Sequence, residues 1–406
     1  MPVGLKQPEL LLPITGVDIA TAAAGIRYSD RDDMVLMLLA EGSSVSAVFT
    51  QNKFCAAPVT LAKQSIARSP TRALLINSGN ANAATGEQGM RNAEHSCEQV
   101  ASQLGLTASQ VLPFSTGVIG EQLNMDALNN GVNALSKRLS NDNWLAAAKA
   151  IMTTDTLPKA VSKTIEIAGE TVSITGMAKG SGMINPDMAT LLSYEATDAS
   201  IDQSALDFFL KQGTASSFNR ITIDSDTSTN DALVLIASGQ SKAPRIESFE
   251  SEHAEPFYQA LEAVLIELAT AIIRDGEGAT KFVKVSVIGG YSQNDCESVA
   301  YAVAHSPLVK TALFASDPNW GRLVMAIGKA PTEQFDVNKI AIKINDVDLL
   351  KDGQPAPAYT EEKGQAVFSQ EEITIEINLN LGNENYHVWT SDLSHDYVSI
   401  NADYRS

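Results

Sequence analysis

Cysteine is scarce in this chain. Its three residues, Cys55, Cys97 and Cys296, are far apart and odd in number. No CxxC pair and no Cys/His group at zinc spacing occurs, so neither a disulfide framework nor a metal site is expected. The thiols read as buried and free in a reducing compartment. Positive charge is also short: 29 Lys and Arg stand against 48 Asp and Glu, a formal net charge of -19. An acidic surface repels nucleic acid and anionic lipid, so neither is an expected partner. The five histidines, His95, His253, His305, His387 and His395, form no HExxH pair. GxSxG and GxxxxGK[ST] are missing as well, so the usual zinc, serine and nucleotide chemistries find no support. No stretch reads as long enough to cross a bilayer. The opening MPVGLKQPELLLP is broken by proline and holds no apolar core of signal length. A cytoplasmic protein is expected. Long polar linkers, low-complexity tracts and fixed-period repeats are absent too.

What is present is an ordinary globular composition, 44% hydrophobic and 19% charged over 406 residues. That length accommodates one large domain or two to three of common size. Apolar runs at 34–40 and 45–49 flank EGSS and predict a hairpin. Residues 73–76 read as a buried strand ending in the small-residue loop 77–86, and a helix is expected over 91–104, closed by Gly105. Strand and turn follow at 111–120, then helices over 125–139 and 143–152, with Asn141 as an N-cap for the second. KTIEIAGETVSITGMA predicts a hairpin turning at Ala168-Gly169-Glu170. Helices are expected at 203–212 and 256–274, with strands near 221–224 and 232–237 between them. Beyond Lys281 come strand KVSVI, helix ESVAYAVAH and period-two strands in KIAIKINDVDLL, EITIEINLNL and YHVWTS. Strands and helices mix without strict βαβ alternation, so the fold class is α/β, layered, with mixed or antiparallel sheets. The expected domains are 1–280 and 281–406.

Two small motifs read blandly. Gly180-Ser181-Gly182 does not complete GxGxxG, because position 185 is Asn. DSDTSTND (224–231) opens like a calcium loop, but its sixth position is Thr229 and its twelfth is Leu235, so it reads as a polar turn. Thr190 is more interesting. An internal threonine lacks a base and reads most simply as the first residue of a strand. A threonine at a chain N-terminus has its own α-amine, with pKa about 7.7–8.0, to serve as that base. Cutting the Ala189–Thr190 bond would make it one.

AKGSGMINPDMATLL resembles the self-cleavage motif of the glutamate N-acetyltransferase/ornithine acetyltransferase family, loosely KGxGMIxPxMAT. NSGNANAATG (77–86), PFSTGVIG (113–120), MTTDT (152–156), RDGEGATK (274–281), DPNWGR (317–322) and NADYRS (401–406) resemble the same family in the same order, over nearly the whole chain. Asp187 departs from the Asn expected there, and a carboxylate beside the scissile bond bears on the rate of self-cleavage. The resemblance implies the self-cleaving ornithine acetyltransferase/aminopeptidase fold and an N→O acyl shift followed by hydrolysis of the resulting ester, which splits the chain into 1–189 and 190–406. It implies acetyl transfer from N2-acetylornithine to glutamate, within arginine biosynthesis, through an acetyl-Thr190 ester. It places Thr116 and Gly117 as oxyanion donors. Substrate-binding positions are Thr153, Lys179, Thr190, Glu277, Asn401 and Ser406, with Thr154 or Thr156 as alternatives to Thr153. No metal or cofactor is implied; acetyl-CoA is a further candidate donor substrate. The cleaved fragments are expected as a heterotetramer, two of each. Two rival readings stay open: a self-cleaving amidohydrolase/aminopeptidase, with water as acceptor, and a non-enzymatic amino-acid-binding protein with an intact chain.

Overall fold

The computed structural model describes residues 2–185 and 191–402. The chain divides into two compact units. The larger is Lys6–Asn219 with Thr227–Ile272; the smaller is Met1–Leu5, Arg220–Asp226 and Ile273–Ser406.

In the larger unit the strands are β1 (Val17–Ala22), β2 (Met34–Leu39), β3 (Ser44–Phe49), β4 (Ala73–Asn77), β5 (Val111–Ser115), β6 (Lys159–Ile167), β7 (Glu170–Lys179) and β8 (Leu192–Thr197). After β9 (Ile221–Thr222), which belongs to the smaller unit, comes β10 (Ala232–Ala237). They form two sheets, β1-β2-β4-β5 and β3-β10-β8-β7-β6, each mixing parallel and antiparallel pairs. Period two decides the layering. Val35, Met37 and Leu39 join Leu74 and Ile76 in a core shared with Tyr194, Ala196, Val234 and Ile236 of the second sheet. Met34 and Leu36 point the other way, onto Cys97 and Val100 of α2 (Gly86–Leu104) and Leu128 and Val132 of α3 (Met125–Leu135). α1 (Ala57–Ile66), α4 (Trp144–Ala150), α5 (Gln203–Ser216) and α6 (Ala254–Arg274) complete the helices of this unit. The outer face of the second sheet lies against α6, where a Cβ added to Gly176 of β7 would meet Leu268 at 2.9 Å and Val264 at 3.2 Å. The layered α/β class with mixed sheets is therefore the observed one.

The smaller unit holds one seven-stranded sheet. After β9 its strands are β11 (Phe282–Gly290), β12 (Ala341–Ile344), β13 (Val347–Lys351), β14 (Gln354–Pro355), β15 (Glu372–Asn378) and β16 (Glu384–Ser391), ordered β14-β13-β12-β15-β11-β16-β9. Alternation in β15 sends Ile373, Ile375 and Ile377 into a core capped by Val299 and Val303 of α7 (Gln293–Ala304). α8 (Pro307–Phe314) and α9 (Trp320–Gly328) extend that cover; α10 (Glu361–Phe368) and α11 (His395–Ala402) follow.

Four expectations need correction. The runs 34–40 and 45–49 are strands but not a hairpin. β2 buries both faces, and its flanks are taken by β1 and β4, so β3 steps into the other sheet and pairs with β10. Asn143, not Asn141, stands at the N-cap of α4; its side chain accepts no hydrogen bond from the helix, and its Nδ2 donates to Ile19 O at 2.8 Å. α6 spans 21 residues and contains an 18-residue window with a mean hydropathy of 1.4, long and apolar enough to cross a bilayer by length and composition, though half of that window is buried inside the protein. Cys55 is half-buried, whereas Cys97 and Cys296 are buried. The hairpin expected at 168–170 is present: β6 and β7 pair antiparallel around Ala168 (φ 52°) and Gly169 (φ 82°), a two-residue turn whose positive angles match the strand twist.

Candidate active site

The asparagines of NSGNAN explain themselves once paired. Asn77 donates to Asn80 O at 2.9 Å and accepts from the Ser115 hydroxyl at 2.6 Å. Asn80 Oδ1 accepts from Asn82 N–H at 2.8 Å. Asn230 reaches in from the other sheet and donates to Ala81 O at 2.6 Å and Ser115 O at 2.9 Å. Short amides thus satisfy the buried backbone of two loops that cannot pair as strands. The segment 224–231, read as a polar turn, supplies this clamp.

Against this frame lie Thr116 and Gly117. Gly117 has φ 133°, and a Cβ there would stand 2.2 Å from Gly79 C and 2.6 Å from Asn80 N. Only glycine allows the two backbones to approach so closely. Thr116 is 8% exposed, and its hydroxyl oxygen accepts from Lys179 Nζ at 3.3 Å. With that lone pair occupied, the hydroxyl proton is directed elsewhere. A hydroxyl and a backbone N–H, side by side and next to an ammonium, form a donor pair suited to an anionic oxygen.

Lys179 ends β7 and leads into Gly180 and Ser181. The turn is tied to the MTTDT loop through Asp155, whose side chain is fully buried. Asp155 Oδ1 accepts from Lys159 Nζ at 2.6 Å and from Gly180 N–H at 2.7 Å; Oδ2 accepts from Thr153 N–H at 3.0 Å. Thr154 and Ser181 share a hydrogen bond of 2.6 Å. Burial works to raise the pKa of Asp155, but Lys159, Lys179 and the Gly180 amide outweigh it and hold the carboxyl well below the usual carboxylate range.

Two other buried acids behave differently. Burial pushes Asp231 well up, against Ser228, Lys179 and the Leu191 N–H, and its Oδ2 has no hydrogen-bond partner. On β8, burial pushes Glu195 up to about 8; the Ser193 hydroxyl, at 2.5 Å, is the principal donor opposing it, and Oε2 is unpartnered. Among the described residues no group of three or more His, Cys, Asp or Glu side chains is placed to hold a metal ion.

In the smaller unit Asn401 of α11 donates to Glu277 Oε2 at 2.7 Å. The Glu277 loop is fixed by Asp392, which accepts from Thr280 N–H at 2.8 Å, the Thr280 hydroxyl at 2.5 Å and Lys281 N–H at 3.0 Å.

The expected site residues thus fall into two groups. Thr116, Gly117 and Lys179 gather in the larger unit, with Thr153 joined to them through Asp155. Glu277 and Asn401 meet in the smaller one. Ala189, Thr190, Asp187 and Ser406 lie outside the described residues. Sequence reasoning passed over Asp155, Lys159, Asp231 and Asn230. The first two carried a weak signal, since an acid and a lysine four apart, on either side of Leu157-Pro158, can form a paired charge.

A model of the ArgJ family matches residues 18–406. The arginine biosynthesis bifunctional protein ArgJ of Pseudomonas syringae pv. tomato is 51% identical over 406 residues, covering all of this chain and all of its own. That of Psychrobacter arcticus is 51% identical over 399 residues, 98% of each chain. Among solved structures, the arginine biosynthesis bifunctional protein argJ of Bacillus halodurans is 39% identical and covers 50% of this chain and 95% of its own, with a TM-score of 0.48.

Proposed function

Because the chain belongs to the ArgJ family, and is thereby an acetyltransferase of arginine biosynthesis, we propose that it carries acetyl from N2-acetylornithine to glutamate on Thr190, after cutting itself into 1–189 and 190–406. The Thr190 hydroxyl attacks the acetyl carbonyl and its own α-amine takes the proton. The tetrahedral oxyanion rests on the Thr116 hydroxyl and the Gly117 N–H. Collapse breaks the acetyl C–N bond, the proton passes to the leaving amine, and ornithine departs from an acetyl-threonine ester. Glutamate's amine attacks that ester by the same path in reverse, leaving N-acetylglutamate and the free threonine. Lys179, Thr153, Glu277, Asn401 and Ser406 are the residues we assign to the carboxylate and ammonium groups of the two amino acids. Acetyl-CoA serves as a second acetyl donor. The working assembly is a heterotetramer of two copies of each fragment, in the cytoplasm, where three free thiols are stable.

The observation that carries this reading is the donor pair at 116–117, with Lys179 3.3 Å from the Thr116 hydroxyl. Trapping tests it. Enzyme mixed with N-acetylornithine without glutamate and then quenched should carry one acetyl group on Thr190, by peptide mass mapping. Thr116→Ala should load about 10²–10³ times more slowly, and Thr190→Ala should remain one uncut, inactive chain. Acetyl on a lysine or cysteine, or free acetate released at the rate of turnover, would replace this mechanism with another nucleophile or with hydrolysis.

A further inference from the structure

We propose that Asp155 is a positioning residue for both self-cleavage and acetyl transfer, setting the turn that begins at Gly180 relative to Thr153 and Lys179. The inference rests on the reading just given, since it assigns a role only if the segment after Lys179 is cut and Thr190 then reacts.

The geometry carries it. Three donors converge on one carboxylate: the Thr153 amide and the Lys159 ammonium from its own stretch of chain, and the Gly180 amide where the chain leaves β7. Two of these donors are backbone groups, so the contacts fix main-chain positions and not merely side-chain rotamers. Thr154 and Ser181 add a fourth tie between the same loops at 2.6 Å. Each of those loops carries a residue assigned to substrate or to cleavage. Its charge also acts on Lys179, which donates to the Thr116 hydroxyl. A displacement of Asp155 would reach the oxyanion donors through that lysine. Reaction rates fall about 10²-fold for a misplacement of roughly 1 Å, so a hub of this kind is felt first in rate.

A purely structural role is the alternative: Asp155 would only neutralise the fully buried Lys159. The two accounts separate in the double variant Asp155→Asn/Lys159→Met. Removing both charges together leaves no unpaired buried ion, and such exchanges are often neutral for stability. Asparagine, however, offers one acceptor oxygen where aspartate offers two, so either Gly180 N–H or Thr153 N–H loses its partner. The expected result is a melting temperature near that of the parent, self-cleavage slowed about 10²-fold, and kcat of any cut enzyme lowered with KM changed far less. Asp155→Glu is the second variant. It keeps the charge and both oxygens but moves them by one methylene, and should melt cooperatively, cut slowly and turn over slowly. Cleavage is followed by intact mass on the soluble, cooperatively melting fraction. Recovery of cleavage and kcat along with the melting temperature in the double variant, or normal cleavage in Asp155→Glu, would overturn the proposal and leave Asp155 as a counterion. A parent chain that is active yet never cut would instead sink the nucleophile reading. The effect on kcat would then still decide the role of Asp155.

Discussion

Asp155 and Glu195 lie in the same unit, on loops and strands that bracket the same turn, and both side chains are shut away from water. Around Asp155 the chain supplies an ammonium and two amides, and the carboxyl is held ionised. Around Glu195 it supplies only a hydroxyl and the residue's own amide, and burial pushes the carboxyl up to about 8. Burial is common to both, so burial does not decide the charge. The number and sign of the donors do. The difference also separates two uses of a buried acid. Asp155 organises backbone through its charge, whereas Glu195 is tolerated in a sheet–helix layer because it is neutral at neutral pH.

Breaking the pair at Asp155 should have the largest effect. Asp155→Asn alone leaves Lys159 buried without its counterion and should cost about 3–5 kcal/mol in chemical denaturation. The folded pKa of Asp155 is lowered, so its contribution is present above the unfolded value near 3.8 and is lost as the pH falls. Glu195 gives the opposite sign. Its folded pKa is raised, so its contribution is complete below about 4.5 and disappears as pH rises through about 8. Glu195→Gln should abolish that alkaline slope, which one proton limits to about 1.4 kcal/mol per pH unit, in melts collected across this range. A slope unchanged by the substitution would mean that the acid is ionised in the folded protein. Ser193→Ala should have the smallest effect, about 0.5–1.5 kcal/mol at pH 6, and should move the alkaline loss to higher pH, since it removes a donor that favours the charged form.

Much of the architecture could be read from residue order, because period-two strands and a Gly-closed helix are local properties. β4, β7, β10 and β15 fall where their apolar runs lie. What local pattern could not supply was partnership. The β2 run looks like half of a hairpin until its second apolar face is known to need α2 and α3, a long-range fact. Thr116, Gly117, Lys179, Glu277 and Asn401 were singled out through their resemblance to a family, not through spacing; by composition they are a turn, a strand end and surface charges. Asp155 was overlooked for a related reason. It stands among three threonines with hydroxyls to offer, and its value comes from Gly180, 25 positions away. Asn230 sat in a segment judged only for metal binding, and its amide reaches carbonyls more than a hundred residues back.

The contact between Gly117 and Gly79 has a consequence for anyone who would redesign the enzyme. A side chain at 117 would strike backbone atoms at 2.2 and 2.6 Å, and backbone, unlike a rotamer, cannot swing aside. Position 117 therefore offers no adjustable surface to mutation. A library randomised at 117 should return glycine alone among active clones. The same rigidity makes the position a good fiducial: spectroscopic labels placed on neighbouring side chains would move relative to a fixed point.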